Sequence, residues 1–256
     1  MNAMMRRLIQ SNGALRLLAA NVVSWDEVTI DGAVFRLHPR NNHTERRAFL
    51  TGQFPEVDSI RRMAELVARA PCCVLDIGAN CGSFTVALAR AAHPGSHLVA
   101  VEPNPEMMRR LAQNLALNGL TDRVTCLNVA VGAAPGDVTL NLHNRNLGRS
   151  TVLDGMAEGG AITVPMRTLR DILAQVPPDL PRIIKIDVEG HEDAALGTIL
   201  DPDRPDLWPH ALLMEVAHRG QWGRDLLGQI RSLGFRSTFE GDGNALFERL
   251  PEREDA

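Results

Sequence analysis

Apolar positions in the first quarter of the chain follow two different periods, which predict a helix and a hairpin ahead of a longer helix. Residues 4 to 24 have a scattered helical pattern, and "VTIDGAVFRL" then alternates around Asp31-Gly32, a strong signal for a β-hairpin. From Glu56 to Ala70, apolar side chains recur every three or four residues, as one buried helical face requires. The pattern over residues 1–55 therefore predicts an N-terminal elaboration that consists of a helix and a hairpin.

Short apolar strands and amphipathic helices then follow one another in a regular rhythm. The segments "CCVLDIG", "HLVAVE" and "RVTCLNVAV" are typical of strands, and "SFTVALARAA" and "PEMMRRLAQNLALNG" between them are typical of helices. Continuous apolar strands that alternate with helices are typical of a parallel sheet with helices on both faces.

The rhythm breaks at residues 137–167, where "DVTLNLH" and "AITVPMR" flank a polar, glycine-rich stretch and predict a hairpin with a long loop. It resumes with a short helix from Thr168 to about Gln175, the strand "RIIKID", the helix "HEDAALGTIL", the strand "ALLMEVA" and a helix from Gly223 to Ser232. An antiparallel pair turning through Asp242-Gly243 follows. The prediction is one α/β domain over residues 56–250, with five parallel strands and a terminal hairpin, and a charged tail at 251–256.

Composition narrows the class of protein. A chain of 256 residues with 45% apolar content is long enough for one well-filled core, and its net charge of −4 gives no general attraction to nucleic acids or anionic membranes. No apolar run approaches membrane-spanning length or forms a signal-peptide core. The cysteines lack C-x-x-C spacing, which favours reduced thiols: Cys72, Cys73, Cys81 and Cys126. We expect a cytoplasmic protein without a nucleic-acid or membrane partner, and the oligomeric state stays open.

A glycine-containing turn between the first sheet strand and its helix predicts a ligand site. "VLDIGANCGSF" has the spacing Asp76-x-Gly78-x-x-x-Gly82, which lets the backbone turn tightly and presents the amide groups of the next helix to a ligand. The adjacent strand ends in Glu102, where a carboxylate can accept both hydroxyls of a ribose. Together they predict an adenosine-containing ligand at the carboxyl ends of the strands.

Two classes of adenosine ligand compete, a nicotinamide dinucleotide for hydride transfer and S-adenosylmethionine for methyl transfer. The spacing departs from the G-x-G-x-x-G of dinucleotide sites. The chain has no tyrosine, and Lys185 is the only lysine among 27 basic residues, which rules out the Tyr-Lys pair of short-chain reductases. An NAD-dependent oxidoreductase is the alternative from another enzyme class.

Six motifs, in order over about residues 56–217, resemble the FkbM family of S-adenosylmethionine-dependent methyltransferases: "VLDIGANCGSF", "VEPNPEMMRRLAQNLALNG", "LNVAVG", "GRSTVL", "VPMRTLRDIL" and "IIKIDVEGHE". The resemblance implies a Rossmann-like class I methyltransferase sheet and, usually, methylation of a hydroxyl on a sugar or secondary metabolite. It also implies the cofactor contacts. Those are Asp76, Gly78, Asn80 and Gly82 at the methionine part, Glu102 at the ribose, Asn128 to Ala130 near adenine, and Ala79, Ser83, Phe84, Pro103, Asn104 and Asp187 around them.

The stretch "IIKIDVEGHED" places ionisable groups directly after a buried strand, at the same sheet edge as the glycine turn. Methyl transfer to oxygen needs an aligned acceptor and a base for the hydroxyl proton. We expect His191 to be the base, Asp187 to orient acceptor or cofactor, and Glu189 and Glu192 to orient the imidazole or raise its basicity. The competing interpretation is a helix start at which acids meet the helix dipole.

Three further features leave alternatives open. Asp187, Glu189 and His191, with Glu215 or His218, could bind Mg²⁺ or Mn²⁺, but their spacing is not a recognised ligand motif, so no metal is assigned. The loop "LHNRNLGRST" suits a polyhydroxylated acceptor or a solvated surface, and we expect Trp208 and Trp222 to pack in the core rather than stack on a sugar. The sequence thus predicts methylation of a hydroxyl on a small molecule or carbohydrate, with nitrogen or carboxyl acceptors as alternatives.

Overall fold

A seven-stranded mixed sheet lies at the centre of the protein, whose computed structural model describes residues 12–143, 146–148 and 160–249. The strands of the described chain are β1 (Asp26–Ile30), β2 (Ala33–Leu37), β3 (Cys73–Ile77), β4 (His97–Val101), β5 (Val124–Leu127), β6 (Ala130–Val131), β7 (Gly136–Asn141), β8 (Ala161–Arg167), β9 (Arg182–Ile186), β10 (Ala211–Glu215), β11 (Phe235–Gly241) and β12 (Asn244–Arg249). The helices are α1 (Gly13–Val22), α2 (His43–Thr51), α3 (Val57–Val67), α4 (Ser83–Ala91), α5 (Pro105–Leu117), α6 (Leu169–Leu173), α7 (Glu192–Leu196) and α8 (Leu226–Ser232).

The order of the strands confirms the predicted α/β class. The central sheet runs β11-β12-β10-β9-β3-β4-β5, and β12 is antiparallel to both of its neighbours, while β10, β9, β3, β4 and β5 pair in parallel. This is the mostly parallel sheet with a C-terminal antiparallel pair that the resemblance implied. Because β3 and β9 are neighbours, the glycine turn after β3 and the acidic turn after β9 lie side by side.

The two faces of the sheet explain why its strands are continuously apolar. All five residues of β3 are buried, and alternate side chains enter opposite layers of the core. Val74 packs in the cluster that also contains Phe35, Phe84 and Leu111, whereas Leu75 packs in the cluster formed with α6, α7 and α8. Helices on both sides therefore hold the strand ends in fixed positions.

The N-terminal hairpin forms as predicted and packs against α5. Asp31 and Gly32 both have positive φ, as a tight two-residue turn between β1 and β2 requires. The backbone N–H groups of Val34 and Arg36 donate to the side-chain oxygens of Asn118 and Asn114 at 2.9 and 2.8 Å. The predicted helix of residues 4–24 is α1, which begins at Gly13; residues 1–11 are outside the described part.

Helix α2 is absent from the sequence prediction. Its sequence "HTERRAFLT" is mostly polar, so its apolar period is too weak to detect. Asn42 caps it and Gly52 ends it in a left-handed conformation.

Several predicted boundaries are corrected by the structure. "RVTCLNVAV" is not one strand: β5 ends at Leu127, and β6 belongs to a separate sheet in the order β6-β8-β7, which contains the predicted hairpin of residues 137–167. Helix α7 spans only five of the ten residues predicted, and α8 begins three residues later than Gly223. The loop residues Asn144, Arg145, Arg149 and Ser150 and the tail 251–256 lie outside the described residues.

Candidate active site

A cleft opens at the carboxyl ends of β3, β4 and β9, with about 940 Å³ of empty volume that includes open solvent at its mouth. Ten of the residues predicted from sequence line it: Gly78, Asn80, Ser83, Phe84, Glu102, Pro103, Ala130, Asp187, Glu189 and His191. The other five are not part of its lining: Asp76, Ala79, Gly82, Asn104 and Asn128.

Close packing against neighbouring elements explains why glycine is needed at two positions of the turn after β3. Gly78 has a φ of +76°, and a Cβ on it would collide with the carbonyl oxygen of Asp187, so only glycine fits between the two turns. Gly82 has a φ of +92°, and a Cβ there would lie 2.6 Å from the side chain of Leu111 in α5. Gly82 thus allows α4 to approach α5, and the two glycines act for different reasons.

Asp76 and Lys185 form a buried pair beneath the cleft. Thr85 Oγ1 donates to Asp76 Oδ2 at 2.5 Å, and Asp76 Oδ1 is 3.4 Å from Lys185 Nζ. The same ammonium donates to the carbonyls of Ile77 and Gly78 at 3.2 and 2.8 Å. Its neighbouring carboxylates, Asp76 first, outweigh the desolvation that would lower the Lys185 pKa and raise it above its ordinary value. The only lysine of the chain therefore holds the start of the glycine turn.

Glu102 is a buried carboxylate at the end of β4, as predicted, with both oxygens in defined positions. Oε2 accepts the backbone N–H of Asn80 at 2.8 Å, and Oε1 accepts that of Asn104 at 2.9 Å. Desolvation raises the pKa of Glu102 to about 7, against the opposing effect of these two N–H donors. Each oxygen retains capacity for a further hydrogen bond, which is the arrangement that a ribose diol requires.

Asn128, expected near adenine, supports the same strand end. Its side-chain amide donates to the carbonyls of Glu102 and Pro103 at 2.7 and 3.0 Å. Among the residues around it, Ala130 lines the cleft together with Val129 and Val131. This wall is apolar, as suits an aromatic base.

The acidic turn after β9 is held by Glu192. Its Oε1 accepts the N–H groups of Val188 and Gly190 at 3.0 and 3.3 Å, and its Oε2 accepts Trp222 Nε1 at 2.8 Å. The side chain is fully buried. Glu192 therefore builds the turn. The hydrogen bonds described for its carboxylate go to Val188, Gly190 and Trp222 rather than to His191, whereas its charge acts to raise the His191 pKa, which agrees with the expected effect on basicity.

His191 lies at the N-terminal end of α7, half-buried and on the wall of the cleft. Desolvation lowers its pKa, while the charges of Glu192 and Asp193 act in the opposite direction. Its Nδ1 is buried without a hydrogen-bond partner in the described part of the chain. A neutral imidazole at this position can accept a proton near neutral pH.

A second acidic group lies behind Asp187. Glu215 Oε2 is 2.9 Å from His218 Nδ1, and burial, with the charge of Asp187 as the next cause, raises the Glu215 pKa to about 8. Ligand atoms of Asp187, Glu192 and Glu215 lie within 4.8 Å of one another. Because the oxygens of Glu192 already accept three N–H groups, this set offers two available carboxylates and fits a dedicated Mg²⁺ or Mn²⁺ centre poorly.

Three polar residues on the cleft wall were not assigned to the site from the sequence: Thr44, Glu56 and Lys185. Asn146 and Gly148 also line the cleft and lie in the loop "LHNRNLGRST", for which the sequence left an acceptor site or a solvated surface open. Glu56 precedes α3, and its Oε1 accepts Asn244 Nδ2 at 2.8 Å. Burial raises the Glu56 pKa, and the charge of Asp187 acts in the same direction. An acid before a helix is common because it interacts favourably with the helix dipole, so the sequence carried no signal that Glu56 lies on the cleft wall.

Comparisons with known proteins show which family the chain matches. The methyltransferase FkbM domain matches residues 76–237, more than half of the chain. A human transmembrane O-methyltransferase is 33% identical over 87 residues, which are 29% of this chain and 30% of that protein. A ribosomal protein L11 methyltransferase of Geobacter sp. (strain M21) is 33% identical over 95 residues, 35% of this chain and 30% of that protein.

The chain thus spans less than a third of the length of these curated relatives. Among solved structures, a methyltransferase FkbM from Methylobacillus flagellatus KT superposes with a TM-score of 0.47 at 18% identity, covering 79% of this chain and 52% of that one.

Within the described residues, every helix is too short or too polar to cross a membrane.

Proposed function

Because the chain belongs to the family of methyltransferase FkbM domains, we propose that it transfers a methyl group from S-adenosylmethionine to a hydroxyl oxygen of a small molecule or carbohydrate. The observation that carries the proposal is that Glu102, Asp187 and His191 line one cleft. Groups suited to a nucleoside and groups suited to an acceptor thus share a single cavity at the topological switch of the sheet.

Residues at three strand ends would each contact a different part of the cofactor. Glu102 would accept the ribose hydroxyls, and the apolar wall of Val129, Ala130 and Val131 would contact the adenine. The turn around Gly78, fixed by Lys185, would hold the methionine part beside Asp187. S-adenosylmethionine supplies an electrophilic methyl group on a sulfonium sulfur.

His191 and Asp187 would act on the acceptor. Asp187 orients the hydroxyl in line with the methyl group, and His191 accepts the hydroxyl proton as the oxygen–carbon bond forms. Loss of the methyl group would leave the donor as its neutral thioether, S-adenosylhomocysteine, and the proton of the acceptor would be on His191. The lowered pKa of His191 keeps the imidazole neutral and ready to take the proton at physiological pH.

Two observations favour oxygen as the acceptor atom: the presence of a base on the cleft wall and the name of one relative. A hydroxyl is a poor nucleophile until it loses its proton, so its methylation needs a base such as the one on the cleft wall. An amine acceptor depends less on such a base. The matched human relative is named as an O-methyltransferase. Hydrogen-bonding side chains on the wall, such as those of Thr44 and Asn146, suit a polyhydroxylated molecule.

Calorimetric titration separates the two cofactor classes. We expect S-adenosylhomocysteine, the product form of the cofactor, to bind with one site per chain and NADH to give no heat of binding. Binding of NADH instead of S-adenosylhomocysteine would refute the proposal. Incubation with methyl-labelled S-adenosylmethionine and candidate glycans, followed by mass spectrometry, would then identify the acceptor.

The reaction should proceed without a divalent metal. Since Glu192 is engaged by backbone and indole N–H groups, removal of metals by EDTA should leave turnover unchanged. Turnover that is lost with EDTA and restored by Mg²⁺ or Mn²⁺ would contradict this part of the proposal. The assay needs only the wild-type protein and an acceptor.

A further inference from the structure

We propose that Asn42, in the N-terminal segment, is a positioning residue for the cofactor: its side-chain amide holds Asn80, and through Asn80 the carboxylate of Glu102, in the geometry that receives a ribose. The inference rests on the proposed use of S-adenosylmethionine. It also gives the segment before α3 a role in the site itself.

Asn42 is 1% exposed, and its side chain has two separate tasks. Its Oδ1 accepts the N–H of Glu45 at 2.9 Å, which caps α2. Its Nδ2 donates to Asn80 Oδ1 at 2.9 Å and contacts Met107 Sδ at 3.3 Å. Helix capping needs only the oxygen, so the contact with Asn80 requires a different explanation.

Asn80 is a residue whose conformation needs support. Its φ is +52°, a left-handed conformation that costs a non-glycine residue free energy and that asparagine tolerates best. Its Oδ1 accepts the N–H of Cys81 at 2.8 Å as well as the amide of Asn42. With the side chain held in this way, the backbone N–H of Asn80 points at Glu102 Oε2, 2.8 Å away.

A third segment closes the same junction. A Cβ on Gly148 would lie 2.5 Å from Asn80 Nδ2 and 2.8 Å from Asn42 Nδ2, so Gly148 packs directly on both amides. The N–H of Leu147 donates to the carbonyl of Asn41 at 2.8 Å, and Asn104 Nδ2 donates to the carbonyl of Leu147 at 3.0 Å. The segment of Asn42 and the loop of Gly148 are thus bonded to each other and to the two strand ends that form the nucleoside site.

The N-terminal segment is itself fixed to the domain, so Asn42 has a rigid base. Arg110 in α5 is 2% exposed and donates to Glu45 Oε2 at 2.5 Å. The same guanidinium donates to Asn41 Oδ1 at 3.0 Å. Arg110 thus bonds to the chain on both sides of Asn42, at Asn41 and at Glu45, which gives the Asn42 amide a defined direction toward Asn80.

The decisive variant is Asn42→Ser, because serine keeps an oxygen for the helix cap and lacks the amide that reaches Asn80. We expect its affinity for S-adenosylhomocysteine to fall about tenfold, the size of one lost hydrogen bond in a buried network. The KM for S-adenosylmethionine should rise in parallel while kcat at saturating cofactor stays near the wild-type value. Asn12→Ala, which removes the exposed cap of α1, is the control and should leave binding unchanged.

A double-mutant cycle with Asn80→Gly separates positioning from general stability. Glycine adopts the left-handed conformation without side-chain support, so Asn42→Ser should have little further effect on binding in that background. Should Asn42→Ser fail to fold, Asn42→Asp keeps the cap and sets an oxygen against Asn80 Oδ1, and the same loss of affinity is expected.

The outcomes that would overturn the inference are distinct from failure of the proposed function. Wild-type binding of S-adenosylhomocysteine together with unchanged binding by Asn42→Ser would overturn the role of Asn42 alone. An equal loss of affinity in the wild-type and Asn80→Gly backgrounds would show that Asn42 does not act through Asn80. A wild-type protein that binds no S-adenosylhomocysteine would overturn both.

Discussion

His191 is the side chain on which the proposed chemistry depends most. Replacing it by alanine should lower kcat by about 10² to 10⁴, the usual contribution of a positioned base, while S-adenosylhomocysteine binds as before. Steady-state kinetics at saturating cofactor and acceptor, with calorimetry for binding, would measure both quantities.

His218 provides the matched control for His191. It bonds to Glu215, which has a carboxylate oxygen within 4.8 Å of one on Asp187, and it is not among the residues that line the cleft. We expect His218→Ala to retain most of the turnover. A large loss in His218→Ala together with a normal rate in His191→Ala would assign the base to His218.

Glu102 makes cofactor binding depend on pH. With a pKa raised to about 7 by burial, Glu102 is increasingly protonated below that pH, whereas two ribose hydroxyls need an acceptor-only carboxylate. Affinity for S-adenosylhomocysteine should therefore fall by up to about tenfold per pH unit below 7. Titrations at pH 6, 7 and 8 would measure it.

The variant Glu102→Gln isolates this effect from titration of the ligand itself. At pH 8 its affinity for S-adenosylhomocysteine should be lower than that of the wild type. Because glutamine does not ionise, residue 102 should no longer contribute to the pH dependence of binding. The assignment of Glu102 to the ribose would be untenable if wild type and variant had the same affinity and the same pH profile.

At the residue scale, the sequence predicts those site groups that follow a strand directly. Glu102, Asp187 and His191 were found because parallel strands bring their carboxyl ends to one edge. Asp76 has the same signal, but its partners Thr85 and Lys185 draw it beneath the cleft. Asn42 was missed because its importance arises from a contact with Asn80, 38 residues away in sequence, and no local pattern encodes that contact.

The turn after β3 and the turn after β9 are two elements in direct contact at Gly78. Gly78→Ala should destabilise the protein by more than about 2 kcal/mol, because the added Cβ meets the Asp187 carbonyl in addition to the cost of positive φ. Chemical denaturation would measure the change in the free energy of unfolding.

Gly119→Ala is the matched control for that contact. Gly119 has a φ of +66°, and a Cβ there would meet no atom within 4 Å. Its substitution should cost only the conformational part, about 1 kcal/mol. Equal losses for the two variants would show that Gly78 is not compressed against the neighbouring turn.

At the element scale, the sequence predicts strands and long helices better than short polar ones. β3, α4, β4 and α5 follow clear apolar periods, and the structure confirms them. α7 is shorter than predicted, and at its start Glu192 bonds to the local backbone of Val188 and Gly190 and to Trp222, the one of the three contacts that depends on the tertiary fold. α2 has too few apolar positions to be detected and forms because its ends are capped and its Glu45 pairs with Arg110.

For the whole molecule, the buried carboxyls predict how stability depends on pH. Glu102 and Glu215 have pKa values raised to about 7 and about 8 by burial, so the folded protein keeps protons that the unfolded chain releases near pH 4.5. Their stabilising contribution is complete below pH 4.5 and is lost as the pH rises through the folded pKa values. Histidines with lowered pKa, such as His38 and His191, act in the opposite direction, but only below about pH 6.5.

Above pH 6.5 the carboxyl effect dominates, and the free energy of unfolding of the ligand-free protein should decrease between pH 6.5 and 8. Denaturation at several pH values in this range would measure the slope. Glu215→Gln, which cannot ionise, should flatten it. A stability that rises across this range would show that these carboxyls are ionised in the folded protein.

For the whole molecule, the α/β class, the five parallel strands and the terminal antiparallel pair were accessible from the rhythm of apolar segments and the turn signals. The methyltransferase type of sheet was implied only by the family resemblance, and the order of the strands comes from the structure. The composition of the cleft was accessible only in part, since Thr44 lies in α2, Glu56 lies directly before α3, and Asn146 and Gly148 lie in the loop before β8. Their place at the cleft depends on how α2, α3 and the loop before β8 pack on the sheet. The periodic pattern of apolar residues does not predict that packing.

A crystal structure with S-adenosylhomocysteine bound would test the nucleoside site at Glu102 most directly. We expect both ribose hydroxyls within hydrogen-bond distance of Glu102, with the sulfur on the side of the cleft that carries Asp187 and His191. Adenosine bound elsewhere, or a ribose without contact to Glu102, would contradict it.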